Sequence, residues 1–243
     1  MQYGPGHAEF YDLVFRDRGK DFAAEARALA GMVRDRAPAA RSLLDVACGT
    51  GAHLETFREI FDDVAGVELA DAMRRVAESR LPGVPLHAGD MRRFDLGRTF
   101  DAVVCVGNSV ACMPTADDLR AAIARMAGHL APGGVLVAEP WYFPADFIDG
   151  YVDGHQMKAD GRVISRITRS VREGDRTRME VRFTVADREG ITDFTEVLHV
   201  TLFERHEYEA AFTKAGCSVE FVPALRLANG RPNGPGLFVG VRR

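Results

Sequence analysis

The sequence has no apolar run long enough to cross a bilayer, which takes roughly 20 residues; its longest, such as 102–106, fall far short. Residues 1–12 lack the basic-then-apolar order of an export signal. Cysteine is scarce. Cys48, Cys105, Cys112 and Cys217 show no metal-type spacing, and three sit in strand-like or strand-end contexts where cysteine serves as a small buried hydrophobe. These absences predict a reduced, cytoplasmic protein without a bound metal. A basic excess is also missing: the net charge is −4, so nucleic acid is not an expected partner. No repeat or low-complexity stretch is present. What remains is ample apolar material, 47% of 243 residues, enough for one α/β domain with a small insertion.

The order of elements follows from periodicity. Residues to about 36 read as polar turns and then a helix, with Phe22, Ala26, Leu29, Ala30 and Val33 at helical spacing. Strands over 42–47, 63–68, 84–88, 100–106 and 135–139 then alternate with helices over 52–61, 71–80 and 115–130, the last broken by 131–134. Such alternation predicts a parallel sheet with helices on both faces. After Trp141 the period changes to two. Met179, Val181, Phe183 and Val185 fall on one face of a strand over 176–185, between strands at 162–171 and 195–203. That is an antiparallel sheet with one wet face. The predicted organisation is a core of 1–144 and 204–243, with a lid segment at 1–36, and an insertion at 145–203. A helix over 204–215 and strands at 217–222 and 237–241 complete it.

The strongest chemical signal is Asp45-Val46-Ala47-Cys48-Gly49-Thr50-Gly51, a strand feeding a glycine-rich turn that opens a helix. Glycines there let a ligand approach the backbone beside free helix N–H groups. The same turn serves dinucleotide enzymes. Glu68 ends the next strand, where a carboxylate accepts both hydroxyls of a ribose. Asp90 follows the third strand, placed to accept from an adenine amino group, with Met91 over the ring. Between residues 158 and 182, eight basic side chains (Lys158, Arg162, Arg166, Arg169, Arg172, Arg176, Arg178, Arg182) stand against four acidic ones inside an acidic protein. A solvated strand face explains such a run; a site for an anionic small molecule is the sharper explanation.

These motifs, together with Pro132-Gly133-Gly134, resemble the ordered motif set of class I S-adenosylmethionine (SAM)-dependent methyltransferases across residues 40–140. A narrower resemblance spans nearly the whole chain. Arg18 to Ala26, Glu139-Pro140-Trp141, Ser170 to Gly174, Met179 to Asp187, Tyr208 to Phe212 and Gly236 to Gly240 are similar to TDP-3-amino-sugar N,N-dimethyltransferases of macrolide antibiotic (desosamine and mycaminose) biosynthesis. The resemblance implies a Rossmann-like seven-stranded α/β fold. It implies transfer of two methyls from SAM to one amine, leaving S-adenosylhomocysteine and needing no metal. A homodimer is compatible with it. Implied cofactor contacts are Tyr11, Ala47, Gly49, Gly51, Glu68, Leu69, Asp90, Met91, Val106 and Ser109. Tyr11, in the lid segment, also stands near the amine, where its phenol orients the nucleophile.

For the substrate, Asn108 lies just past the fourth strand, at the edge where open α/β sheets bind ligands. Arg166, Arg169 and Arg178 are the expected pyrophosphate partners, since guanidinium forks match phosphate oxygens. Trp141, Tyr142 and His199 are expected to line the sugar or thymine pocket. Pro235 stands where the family pattern has an arginine, and Arg231, four residues earlier, is the substitute candidate. Three rival readings are an NAD-dependent oxidoreductase, a silent SAM-binding module and an O-methyltransferase of a neutral metabolite. The first lacks a third glycine in register and a Tyr-Lys pair, and the last leaves the basic insertion unexplained.

Overall fold

The computed structural model describes residues 4–243; the first three residues of the predicted lid lie outside them. A seven-stranded sheet has the order β10-β11-β5-β4-β1-β2-β3. Its parallel part is β1 (Ser42–Val46), β2 (Asp63–Glu68), β3 (Leu86–Ala88), β4 (Phe100–Cys105) and β5 (Leu130–Ala138). β11 (Leu237–Val241) runs antiparallel to both β5 and β10 (Glu220–Val222). Strands buried on both faces must be apolar on both faces. Leu44, Val46, Val103 and Leu136 pack against α5 (Ala116–Gly128) and α6 (Arg205–Lys214). Leu43, Ala102, Val104 and Val137 pack against α2 (Phe22–Arg36) and α3 (Leu54–Ile60). Caps fix the helix starts: Asp21 accepts from Ala24 N at 2.9 Å, and Thr115 accepts from Asp118 N at 3.1 Å. α4 (Asp71–Arg80) completes the layer.

Between β5 and α6 lies a separate antiparallel sheet, β6-β7-β8-β9. Its strands are β6 (Tyr151–Ala159), β7 (Arg162–Glu173), β8 (Arg176–Ala186) and β9 (Ile191–Thr201). One face carries Met157, Ile164, Val181, Phe183 and Leu198, which bury Phe10 and Val14 of α1 (Pro5–Asp17).

Five local expectations need correcting. The segment before α2 holds the helix α1, not only polar turns, because Phe10 and Val14 gain a partner only when the second sheet folds over them. β6 was not foreseen; its exposed Tyr151 and Val152, its Gly154 and its polar residues hide the alternation. β9 begins at Ile191 rather than 195, and β3 is confined to Leu86–Ala88. Pro132-Gly133 lies inside β5, where the register with β4 shifts between Phe100 and Ala102. No helix of the described residues is long and apolar enough to cross a membrane.

Candidate active site

β1 ends at Val46, and the chain turns through three left-handed residues, Ala47 (φ 60°), Gly49 (57°) and Gly51 (75°). The two glycines have different tasks. A Cβ on Gly49 would meet nothing within 4 Å, so that position leaves space for a ligand. A Cβ on Gly51 would lie 2.7 Å from Leu81 Cδ1 and 3.2 Å from Ala77 Cβ, so that position lets α4 close against the turn. Glu68, buried at the end of β2, joins the two loops that follow β1 and β2. Its Oε2 accepts from Gly49 N at 2.8 Å and its Oε1 from Ala70 N at 2.7 Å. Leu69 beside it is exposed.

Under this turn lies Asp45, 1% exposed, with no hydrogen-bond partner on either carboxylate oxygen. Burial, with Glu68 nearby, pushes its carboxyl well above the usual carboxylate range. Over the turn lies α1. Asp12 accepts from Thr50 Oγ1 at 2.6 Å and pairs with Arg80, which also donates to Thr50 O at 2.9 Å. Tyr11, the next residue, puts its hydroxyl 3.7 Å from where a Gly107 Cβ would stand, at the mouth of β4. Burial, and then Asp12 and Glu68, raise the Tyr11 phenol far above its ordinary value. It therefore stays protonated and is unsuited to take a proton, though its oxygen still accepts hydrogen bonds.

The mouth of β4 is shaped by Glu139, which ends β5 and accepts from Gly107 N at 2.6 Å. Asn108 is left-handed (φ 63°), and its Oδ1 is buried without a hydrogen-bond partner. Ser109 Oγ donates to the Val106 carbonyl at 3.1 Å. On the β3 side, both oxygens of Asp90 are taken by Arg92, which donates to Oδ1 from its backbone N at 2.9 Å and from Nε at 3.0 Å. Those bonds hold the Asp90 carboxyl below the usual range. A carboxylate has about four lone-pair sites, so an adenine amino group would have to share it with Arg92. Met91 is buried in the core with Val46, Val67 and Phe94.

The predicted substrate residues do not all come together. Trp141 and Tyr142, 5.5 Å apart between ring centroids, follow β5 beside the mouth of β4. Arg166 is 6% exposed on the α1-facing side of β7, opposite Phe183. Arg169, Arg178 and His199 lie on the outer face instead, because strand residues alternate sides. There Arg178 faces His199 in register and bonds Glu180 at 2.8 Å, while Arg169 stands opposite the same Glu180. Arg182 pairs with Asp193 at 2.9 Å. With Arg162 paired to Glu9 of α1 and the others divided between the two faces, the basic run does not gather into one anion site. Arg231 is exposed in the loop before β11.

Sequence reasoning did not pick out Asp12, nor the buried group around Glu25. That carboxylate meets Lys20 Nζ and His53 Nε2 at 3.0 Å each and Asn233 Nδ2 at 2.9 Å. Against its burial, the His53 and Lys20 bonds hold Glu25 below its usual range. The cluster ties α2, the start of α3 and the loop before β11 together beside the glycine-rich turn. Its members are far apart in sequence, and no local pattern marks them.

Residues 43–134 match the family of methyltransferase domains. Over 240 residues, 99% of this chain and 94% of the relative, the sequence is 54% identical to the dTDP-4-amino-2,3,4,6-tetradeoxy-D-glucose N,N-dimethyltransferase of Saccharopolyspora spinosa. It is 53% identical, over 98% of this chain and 99% of the relative, to the dTDP-3-amino-3,4,6-trideoxy-alpha-D-glucopyranose N,N-dimethyltransferase of Streptomyces venezuelae. The chain belongs to the sugar N,N-dimethyltransferase family. Its fold matches SAM-bound CalS10, an amino pentose methyltransferase from Micromonospora echinaspora, with a TM-score of 0.87, 52% identity and 96% coverage of each chain. SAM is the cofactor of this family member. The site residues fit it. SAM carries a positive sulfur and a positive ammonium, and the unpartnered Asp45 carboxylate, Glu68 and the open space over Gly49 offer what such a ligand needs.

Proposed function

We propose that this protein transfers two methyl groups in succession to the amino nitrogen of a dTDP-linked amino sugar. The observation that carries this reading is similarity over 98–99% of the chain, including the second sheet, to two N,N-dimethyltransferases of such sugars. Bound SAM supplies a methyl group already activated by its positive sulfur. The chain's own part is to hold an unprotonated amine in line with that methyl and to keep water out, which is worth about 7–11 kcal/mol when orientation is complete. α1 closes the site through Asp12, Thr50 and Arg80. Tyr11 orients rather than deprotonates, since its phenol keeps its proton. Incubation with SAM and a set of dTDP-3-amino and dTDP-4-amino sugars, followed by mass spectrometry, should give a dimethylated product through a monomethyl intermediate. A time course that ends at the monomethyl sugar overturns the reading.

The three arginines should separate in the same assay. Arg166→Ala is expected to raise KM for the nucleotide sugar by about tenfold, the loss of one hydrogen bond to a charged group. Arg169→Ala and Arg178→Ala, on the outer face beside Glu180, should leave KM nearly unchanged. Larger effects at Arg169 and Arg178 than at Arg166 would place the phosphates on the outer face.

Cofactor binding should be linked to a proton. A cation beside Asp45 favours the ionised carboxylate, whose free-state pKa is raised. SAM affinity is therefore expected to rise with pH until that raised pKa is passed. Calorimetry in buffers of different ionisation enthalpy should register proton release, and Asp45→Asn should remove it. Stability of the free protein runs the other way. Asp45's contribution is complete below the ordinary carboxylate pKa and is lost as pH climbs through the raised one. A cytoplasmic homodimer belongs to the same reading; the exposed Val152, Ile167 and Val197 on the outer sheet face favour a second copy there, and light scattering tests it.

A further inference from the structure

The loop leaving β4 is held by one carboxylate that the mechanism above does not use. Glu139, 2% exposed, accepts from Gly107 N at 2.6 Å. This bond anchors a loop with two successive residues in the left-handed region, Gly107 at φ 70° and Asn108 at 63°. A non-glycine residue is disfavoured there and persists only where its surroundings over-determine it. On this loop Asn108 Oδ1 is buried without a donor, and a Cβ on Gly107 would stand 3.7 Å from the Tyr11 hydroxyl. Buried polar atoms are otherwise almost always paired.

We propose that Asn108 Oδ1, positioned by Glu139, accepts an N–H of the acceptor amine and so sets the number of methyl groups transferred at two. The inference rests on the N,N-dimethyltransferase reading. A neutral primary amine has a lone pair and two N–H groups. Donating one N–H to Asn108 fixes the nitrogen's rotation, so that the lone pair faces the methyl. The lone pair forms the N–CH3 bond as the S–CH3 bond breaks with its electrons left on sulfur, and the resulting ammonium gives a proton to water. The neutral secondary amine still has both a lone pair and an N–H, so after a second SAM replaces S-adenosylhomocysteine it is oriented in the same way. The dimethylated nitrogen never has both. Protonated, it can bond Asn108 but has no lone pair; deprotonated, it has a lone pair but no N–H. Neither form reacts further. The primary amine has a second N–H that the Tyr11 oxygen can accept, so the second transfer depends on Asn108 more than the first.

Asn108→Gly removes the carbonyl without backbone strain, and Asn108→Asp keeps an acceptor. With excess SAM, Asn108→Gly should accumulate monomethyl sugar, the ratio of second to first transfer rates falling about tenfold, as expected for one lost hydrogen bond. Asn108→Asp should restore the ratio. Glu139→Gln should fall between, with SAM affinity unchanged by calorimetry. Loaded with S-adenosylhomocysteine at a pH above the amines' own pKa, where the dimethyl nitrogen has no N–H, the wild-type protein should bind the monomethyl sugar more tightly than the dimethyl sugar, and Asn108→Gly should bind the two alike. An unchanged rate ratio in Asn108→Gly, or equal binding of the two sugars by the wild type, overturns the inference while leaving dimethylation intact. A wild type that methylates no dTDP-amino sugar removes the functional reading and this inference together.

Discussion

Glu68→Ala is expected to lower SAM affinity by about 100-fold or more. A carboxylate at the end of β2 that accepts two ribose hydroxyls makes two hydrogen bonds to a charged group, each worth roughly 1.5–3 kcal/mol. The loss should not be confined to the ligand. Glu68 also accepts from Gly49 N and Ala70 N, so truncation leaves two backbone donors to water entering from the ligand side. That costs about 1–3 kcal/mol of stability, or roughly 2–4 °C of Tm per kcal/mol for a chain of this size. Glu68→Gln separates the two roles. Its single carbonyl can keep one loop bond but cannot serve both hydroxyls, so folding should be nearly normal while affinity stays low. Titration calorimetry and thermal unfolding on the same samples check both halves. Unchanged SAM affinity in a folded Glu68→Ala protein would take this carboxylate out of the site.

Alanine at Gly51 and at Gly49 should have opposite signatures, although the residues are two apart in one motif. Both are left-handed, and an alanine there costs about 1–2 kcal/mol. At Gly51 the new methyl also drives into Leu81 and Ala77, and overpacking of that kind adds about 1–3 kcal/mol. The sum is a large share of the ~5–15 kcal/mol that holds a typical domain folded. Gly51→Ala should therefore unfold about 5–20 °C lower than the wild type. At Gly49 the methyl meets no protein atom within 4 Å. Gly49→Ala should lose only the backbone term in stability, yet bind SAM poorly because the methyl occupies the ligand's space. If Gly49→Ala binds SAM normally, the cofactor does not lie over this residue.

The residues at the ends of β1 and β2 follow from the sequence because their signals are local. A period-two or period-3.6 pattern reports which way one element faces, and the turn 47–51 announces itself by glycines that only a left-handed bend requires. The positions of Glu68, at the end of β2, and Asp90, just after β3, follow from the sequence for the same reason, both at the edge where open α/β sheets bind ligands. The Asp90 surroundings do not, since only the fold shows Arg92 folding back onto both of its oxygens. α1 does not follow from the sequence, because the sheet that covers its apolar residues lies more than 140 residues away in the chain.

The sequence alone determined an α/β core with a glycine-rich turn after its first strand and an antiparallel sheet, because each follows from spacing within one element. Tertiary structure decided which charges matter. Arg166 faces α1 while Arg169 and Arg178 face outward beside Glu180, a difference of one strand face that depends on which side of the sheet is covered. It also left Asp45 and Asn108 Oδ1 without partners and brought Asp12 to Thr50 and Glu139 to Gly107. Those arrangements join residues 30 or more positions apart, and burial, which gives a polar atom its energetic weight, exists only once the elements have packed.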